Sequence, residues 1–349
     1  MKKLFICIAA FSLLSCSNKN ASIISLFDRI ENITSIPIIQ PKLSQYPYGL
    51  TLFDSLLVWV DSYHDKNLSL FNVHKRKEMH RFGTIGQGPS ETSDWPSATK
   101  YQNNYLHILD NKQNKLLVFS INEIAKDSVC RPVITYNLFQ NASLLKIIQI
   151  DDNLFIGENR NSDNMYALVN DKGNIVFTGL SYPRDKNITI SSNIKLLAYQ
   201  GNFYQNPINN NELIHVGING VVIDILEIRN NKIIRKKLLD YVLPEYTAVQ
   251  KNDFSGALIS ENSIIGCCSV SVTGNFIYVL YADKTRKNKN ENKENERCSN
   301  LILIFDWNGT PIKYYKSDVD LYQICVSEDN QTLYGVIMNP EAELVKFEL

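Results

Sequence analysis

Short runs rich in Leu, Ile, Val and Phe recur along the whole chain, each bounded by Asn, Asp, Gly or Lys. Leu56 to Asp61, Asn67 to Val73 and Arg76 to Phe82 form one such set. Leu106 to Asp110 and Lys115 to Phe119 repeat its first two members, as do Asn153 to Gly157 and Met165 to Val169 farther on. Runs of this length and composition read as strands, and no long stretch shows the period of an amphipathic helix. Turn chemistry agrees: Asp171-Lys172-Gly173-Asn174 and Asn308-Gly309 lie between strand-like runs, where tight hairpins need positive φ.

Placing first strands near Tyr46, Ser97, Leu144, Leu197, Ser263 and Leu321 divides the chain into units of about fifty residues, a period that predicts propeller blades. The last unit, Leu321 to Leu349, has room for only three strands, whereas the segment Ile23 to Gln40 carries a spare one, Ile33 to Ile39. That segment is expected to supply the missing outer strand, which would pair the start of the chain with its end and hide sheet edges. The prediction is an all-β, six-bladed propeller of four-stranded antiparallel blades over residues 23–349; a pair of β-sandwiches is the rival architecture. Residues 283–300, a succession of Lys, Asn and Glu too polar to pack, are expected to form a mobile insertion in the fifth blade.

The N-terminus has a different character. Met1-Lys2-Lys3 is followed by the apolar stretch Leu4 to Leu14 and then by Ser15-Cys16. A basic start, a short apolar core and a small-residue cleavage site make a signal peptide over residues 1–15. Leu13-Leu14-Ser15-Cys16 resembles the bacterial lipobox, so Cys16 is the expected lipid attachment site and residues 16–22 a tether. Ser17-Asn18-Lys19-Asn20 lacks an aspartate at the retention position, which favours the outer membrane and leaves periplasmic against surface exposure open. The 36 Lys and Arg equal the 36 Asp and Glu, and losing Lys2 and Lys3 leaves the mature chain slightly acidic, which argues against a nucleic-acid partner. Cys130, Cys267, Cys268, Cys298 and Cys325 remain; a bridge from Cys267 or Cys268 to Cys298 would clip the insertion, and small buried hydrophobes are the other reading.

Three stretches carry a resemblance: Arg81-Phe82-Gly83-Thr84-Ile85-Gly86-Gln87-Gly88-Pro89-Ser90-Glu91, Ile304 to Ile312, and Val326 to Tyr334. Together they resemble the TolB-like six-bladed propeller lipoproteins of Bacteroidetes, which implies a propeller on a lipid anchor and leaves the activity undefined. Gly86 and Gly88 allow backbone angles closed to other residues, and Pro89 fixes the exit, so the loop can cross between neighbouring blades. Exposed Gly amides beside Arg81 could alternatively cradle an anion. Family members often carry Gly and an aromatic after the Pro, where this chain has Ser90-Glu91-Thr92. Asp54-Ser55-Leu56 and Asp127-Ser128-Val129 resemble the O-glycosylation tripeptides of the same phylum.

No Gly-x-Ser-x-Gly elbow, metalloprotease spacing or uninterrupted calcium loop is present, so no catalytic, metal or cofactor residue is assigned. His64, His74, His80, His107 and His215 read mostly as strand-face residues. A propeller can still host an enzyme in its channel, where Gln149, Asp151, Tyr204, Asn206, Glu261 and Gln323 are the available polar groups; water-lined tunnel is the plainer reading. Tyr46, Tyr48, Trp59, Tyr63, Trp95 and Tyr101 cluster around the first two units, and Trp95 is the preferred rim contact for a stacking ligand. The expected function is a monomeric, lipid-anchored binding or scaffold module for a protein, peptide or glycan, with Arg81, Gln87, Glu91 and Trp95 as candidate binding residues. A metal-assisted hydrolase or lactonase and a purely structural envelope protein are the alternatives.

Overall fold

Each blade runs from an inner strand on the axis to an outer strand at the rim. The computed structural model describes residues 22–349 apart from 39–42, 44–45, 62–64, 103, 128, 138–142, 161, 188, 252–253, 288–296 and 339–340. Cys16 and the leader, Tyr63, His64, Ser128 and the centre of the 283–300 insertion lie outside the described residues. At the edges of that insertion, Asp283 to Thr285 and Ser299 to Asn300 belong to strands.

The first blade is the meander β3 (Tyr48–Phe53), β4 (Leu56–Val60), β5 (Lys66–Asn72), β6 (Lys77–Thr84). The second contains β7 (Ser97–Tyr101), β8 (Tyr105–Asp110), β9 (Lys115–Ser120) and β10 (Ile134–Tyr136). The third is β11 (Leu144–Asp151), β12 (Leu154–Asn159), β13 (Asn164–Asn170) and β14 (Ile175–Ser181). The fourth follows as β15 (Gly201–Gln205), β16 (Glu212–Gly217), β17 (Val221–Arg229) and β18 (Lys232–Val242). The fifth is β21 (Ile264–Val272), β22 (Phe276–Thr285), β23 (Ser299–Asp306) and the first half of β24 (Pro311–Val326). The second half of β24 turns inward to start the sixth blade, continued by β25 (Thr332–Met338) and β26 (Ala342–Glu348).

The expected closure is present. β2 (Ile36–Ile38) pairs antiparallel with β26 and completes the last blade. The N-terminal segment does more than was expected, because β1 (Ile30–Ile33) first pairs in parallel with Tyr314 to Ser317 on the rim of the fifth blade. Ser35 marks the step between the two, its amide donating to Asp318 Oδ1 at 2.8 Å. Phe27 is buried just ahead of β1, edge-on to Phe305 at 5.3 Å and to Tyr314 at 6.1 Å.

Blades pack through apolar clusters that run around the ring. Leu68, Leu70 and Phe82 meet Leu106, Ile108 and Phe119 between blades one and two. Leu50, Leu57 and Trp59 meet Tyr334, Val336 and Leu344 between blades one and six, which shuts the circle. Middle strands covered on both faces read as continuous apolar runs, as in β4 and β13, whereas rim strands such as β6 and β18 alternate.

Three elements depart from expectation. Leu197, placed in a first strand, lies in helix α2 (Ser192–Tyr199), and the inner strand of blade four starts at Gly201. A further short helix, α1 (Ile121–Lys126), separates β9 from β10. A hairpin of β19 (Tyr246–Lys251) and β20 (Phe254–Ile259) is inserted between blades four and five. The five described cysteines are all free thiols, so no bridge clips the insertion; Cys267, Cys298 and Cys325 are buried, as small hydrophobes would be. Gly173 and Gly309 take the positive φ their hairpins require.

Candidate functional site

The inner strands of all six blades enclose a channel of about 500 Å³. Each blade has an even number of strands and runs from axis to rim, so its inner strand points the same way as its neighbours'. The first residues of these strands therefore share one mouth and the last residues the other. Contacts bear this out. Near the strand ends, Lys100 pairs with Glu328, and Gln205 Nε2 donates to the Ile150 carbonyl at 3.2 Å.

At the mouth formed by the strand starts, Trp95 is 59% exposed and stacks on Tyr48, with ring centroids 5.8 Å apart and planes 20° from parallel. Lys146 enters from blade three. A bulge between Leu145 and Ile147 gives it a φ of 42°, in the left-handed region that side chains avoid. Burial lowers the pKa of its ammonium, an effect partly offset by Glu158 behind it. Its side chain makes no hydrogen bond or ion pair among the described residues. On the opposite wall burial pushes the Cys268 thiol up to about 12 and the Tyr322 phenol upward, and Arg297 moderates both, so its guanidinium stands beside them. Asn202 and Gln323 add amides to this wall.

Deeper in the channel, His107 stacks on Tyr101 at 4.3 Å and 16°. Burial drops the His107 pKa to about 3, with Gln149 acting in the other direction, so the ring is neutral at physiological pH. Burial, with Asp152 and Asp151 adding to it, pushes Tyr101 up to about 12. Neither Tyr101 Oη nor His107 Nε2 finds a hydrogen-bond partner among the described residues. Leaving such groups unsatisfied costs about 1 to 3 kcal/mol each, which water or a ligand in the channel would recover. Along the described lining, Lys100, Lys146 and Arg297 face a single carboxylate, Glu328.

Of the candidate binding residues, Trp95 lines the channel and the others do not. Arg81 Nη1 donates to the fully buried Asp61 at 2.8 Å, and its Nε lies 3.2 Å from Glu78. Glu91 Oε2 accepts from the Gly88 amide at 2.7 Å, and the Gly86 amide donates to the Thr92 carbonyl at 3.0 Å. Both amides that could have cradled an anion are thus engaged within the loop. Gln113 and Lys115 of blade two donate to the Gly86 and Gly88 carbonyls at 2.7 and 2.8 Å, so the loop does cross between blades. Neither Gly86 nor Gly88 has a positive φ; space is the reason for Gly86, where a Cβ would fall 2.0 Å from Glu91 Oε2. Gln87 is exposed on this loop, and Ser55 sits in the turn between β3 and β4.

Among the polar groups expected in the channel, Gln149, Tyr204 and Gln323 line it, whereas Asp151, Asn206 and Glu261 do not. Lys146 was not singled out in the sequence. Its one signal is a charged residue interrupting Leu144 to Ile150, an otherwise apolar inner strand apart from Gln149. Of the histidines, His215 is buried between blades, its Nε2 2.8 Å from Glu158 Oε1, and His80 Nε2 lies 2.6 Å from the Ile124 carbonyl. Among the described residues no three His, Cys, Asp or Glu side chains form a group that could hold a metal, and no helix is long and apolar enough to cross a membrane.

Three solved structures are similar to the chain. A protein of Bacteroides fragilis NCTC 9343 described as exported is 14% identical, with 94% of this chain and 96% of that one covered and a TM-score of 0.55. The β-propeller domain of Cps50 (Swd1) from Myceliophteria thermophila is 10% identical, covering 91% and 99%, with a TM-score of 0.44. Hsv2 of Kluyveromyces lactis is 12% identical, covering 85% and 72%, with a TM-score of 0.41. No curated protein matches the chain significantly. The family profile described as TolB-like 6-blade propeller-like matches residues 27–329, and with the closed ring of six blades this places the chain in that family.

Proposed function

We propose that this protein is a monomeric binding module held on the cell envelope by a lipid at Cys16, and that it takes its protein, peptide or glycan ligand into the central channel. The observation that carries the reading is the channel itself, about 500 Å³ and lined by the inner strands of all six blades. A cavity of that size with a few polar groups among apolar walls is the usual form of a ligand site. Trp95 is the contact at the mouth, Glu91 holds the preceding loop through the Gly88 amide, and Arg81 pairs with the buried Asp61. The leader, the lipobox and the exported structural relative support the envelope location. A hydrolase in the channel is the weaker reading, because the one carboxylate of the described lining, Glu328, is already bound by Lys100.

Glycan and peptide arrays probed with the labelled mature chain test this reading. The control is Thr99→Trp, which fills the channel from its half-buried position on β7. Array signals that disappear in the folded Thr99→Trp protein support the channel as the site. Signals that survive the plug contradict it.

A further inference from the structure

The mouth formed by the strand starts combines features that point to one kind of ligand. Two cations, Lys146 and Arg297, come from opposite sides, and no described carboxylate lines that end; Glu328 is at the other. Both side chains line the wall that an anionic ligand would pass. Lys146 is held there by a backbone conformation that a lysine adopts only under constraint, and among the described residues its ammonium feels Glu158 but makes no hydrogen bond or ion pair. Beside it, the exposed face of Trp95, backed by Tyr48, is a flat apolar platform. Asn202 and Gln323 are within the same end of the channel and can both donate and accept hydrogen bonds.

We propose that this mouth binds an acidic sugar, with the carboxylate of a uronic acid unit on Lys146 and Arg297, its ring face on Trp95, and its hydroxyls on Asn202 and Gln323. The inference rests on the channel reading and gives its ligand class. A polyglutamate would satisfy the cations and could meet the amides with its backbone, but it has no ring face to lay on the aromatic platform. A neutral sugar would use the platform and bring no charge to either cation.

The test is titration calorimetry of the mature chain with trigalacturonate, its methyl ester and hexaglutamate. Trigalacturonate should bind, weaken as salt is raised, and lose at least tenfold in affinity on esterification. Lys146→Gly removes the ammonium while suiting the left-handed backbone, and should also cost at least tenfold; Lys146→Arg should retain most of the binding. Trp95→Ala, at an exposed position, should cost tenfold independently. Equal binding of acid and ester, tighter binding of hexaglutamate, no binding of trigalacturonate, or an unchanged affinity in folded Lys146→Gly would each overturn the inference. Array signals lost in Thr99→Trp but unaffected in Lys146→Gly would overturn it while leaving the channel reading intact; signals indifferent to Thr99→Trp would bring down both.

Discussion

Burial of His107 against Tyr101 holds its pKa at about 3, well below the ordinary value of 6.5. The unfolded chain therefore binds a proton there between roughly pH 6.5 and pH 3 that the folded chain refuses, so this residue's contribution is present above pH 6.5 and lost as the pH falls. Between pH 7 and pH 4.5 the loss amounts to about 2 kcal/mol. Urea unfolding of His107→Gln should show a pH dependence smaller by about that amount; an identical slope in variant and parent would mean that the ring is not held neutral. Lys146 gives a prediction of the opposite kind. Its left-handed backbone costs a non-glycine residue about 1 to 2 kcal/mol, so Lys146→Gly should stabilise the fold by about 1 kcal/mol as it weakens binding. A stability loss in the same unfolding assay would show that the lysine is a structural residue. Arg81→Gln should instead destabilise by about 3 kcal/mol, because it leaves Asp61 buried without its cation.

The blade meanders were readable because each strand is a short apolar run closed by a turn residue, and five of the six blade starts fall within about two residues of their expected places. What escaped the sequence has identifiable causes. Leu197 read as part of a first strand, yet the segment 192–199 is a helix whose buried residues join one apolar cluster with blades three and four and the β19–β20 hairpin. β1 is only four residues long, and its parallel pairing with β24 depends on a partner almost three hundred residues away. In the site, Trp95 stood out by composition, whereas Lys146 matters through a bulge that no local pattern announces. Arg81 and Glu91 looked available because charges usually face solvent, and only the tertiary contacts show them engaged. The N-terminal segment offers a test at this scale. Phe27→Ala removes an aromatic wedged between blades four and five and should cost about 3 to 5 kcal/mol in global unfolding. A loss below about 1 kcal/mol would mean that the segment before β1 is a passive tether.

As a whole, the molecule is a ring whose last blade is finished by the N-terminal strand β2, so the proposed tether would deliver the chain to the rim of blades five and six. Cys16→Ser should abolish acylation and move the protein from the membrane to the soluble fraction without altering its melting temperature; membrane partitioning that persists would remove the lipid from the account. The clusters between successive blades predict a single cooperative unfolding transition, since losing one blade exposes the faces of two others. Whether ligand is held inside the ring can be seen by diffraction from crystals of the mature chain grown with the ligand recovered from the arrays. Ligand density is expected on the axis, entering the channel past Trp95 and Lys146. Density on the outer rim or on the β19–β20 hairpin, with the channel holding solvent alone, would contradict it.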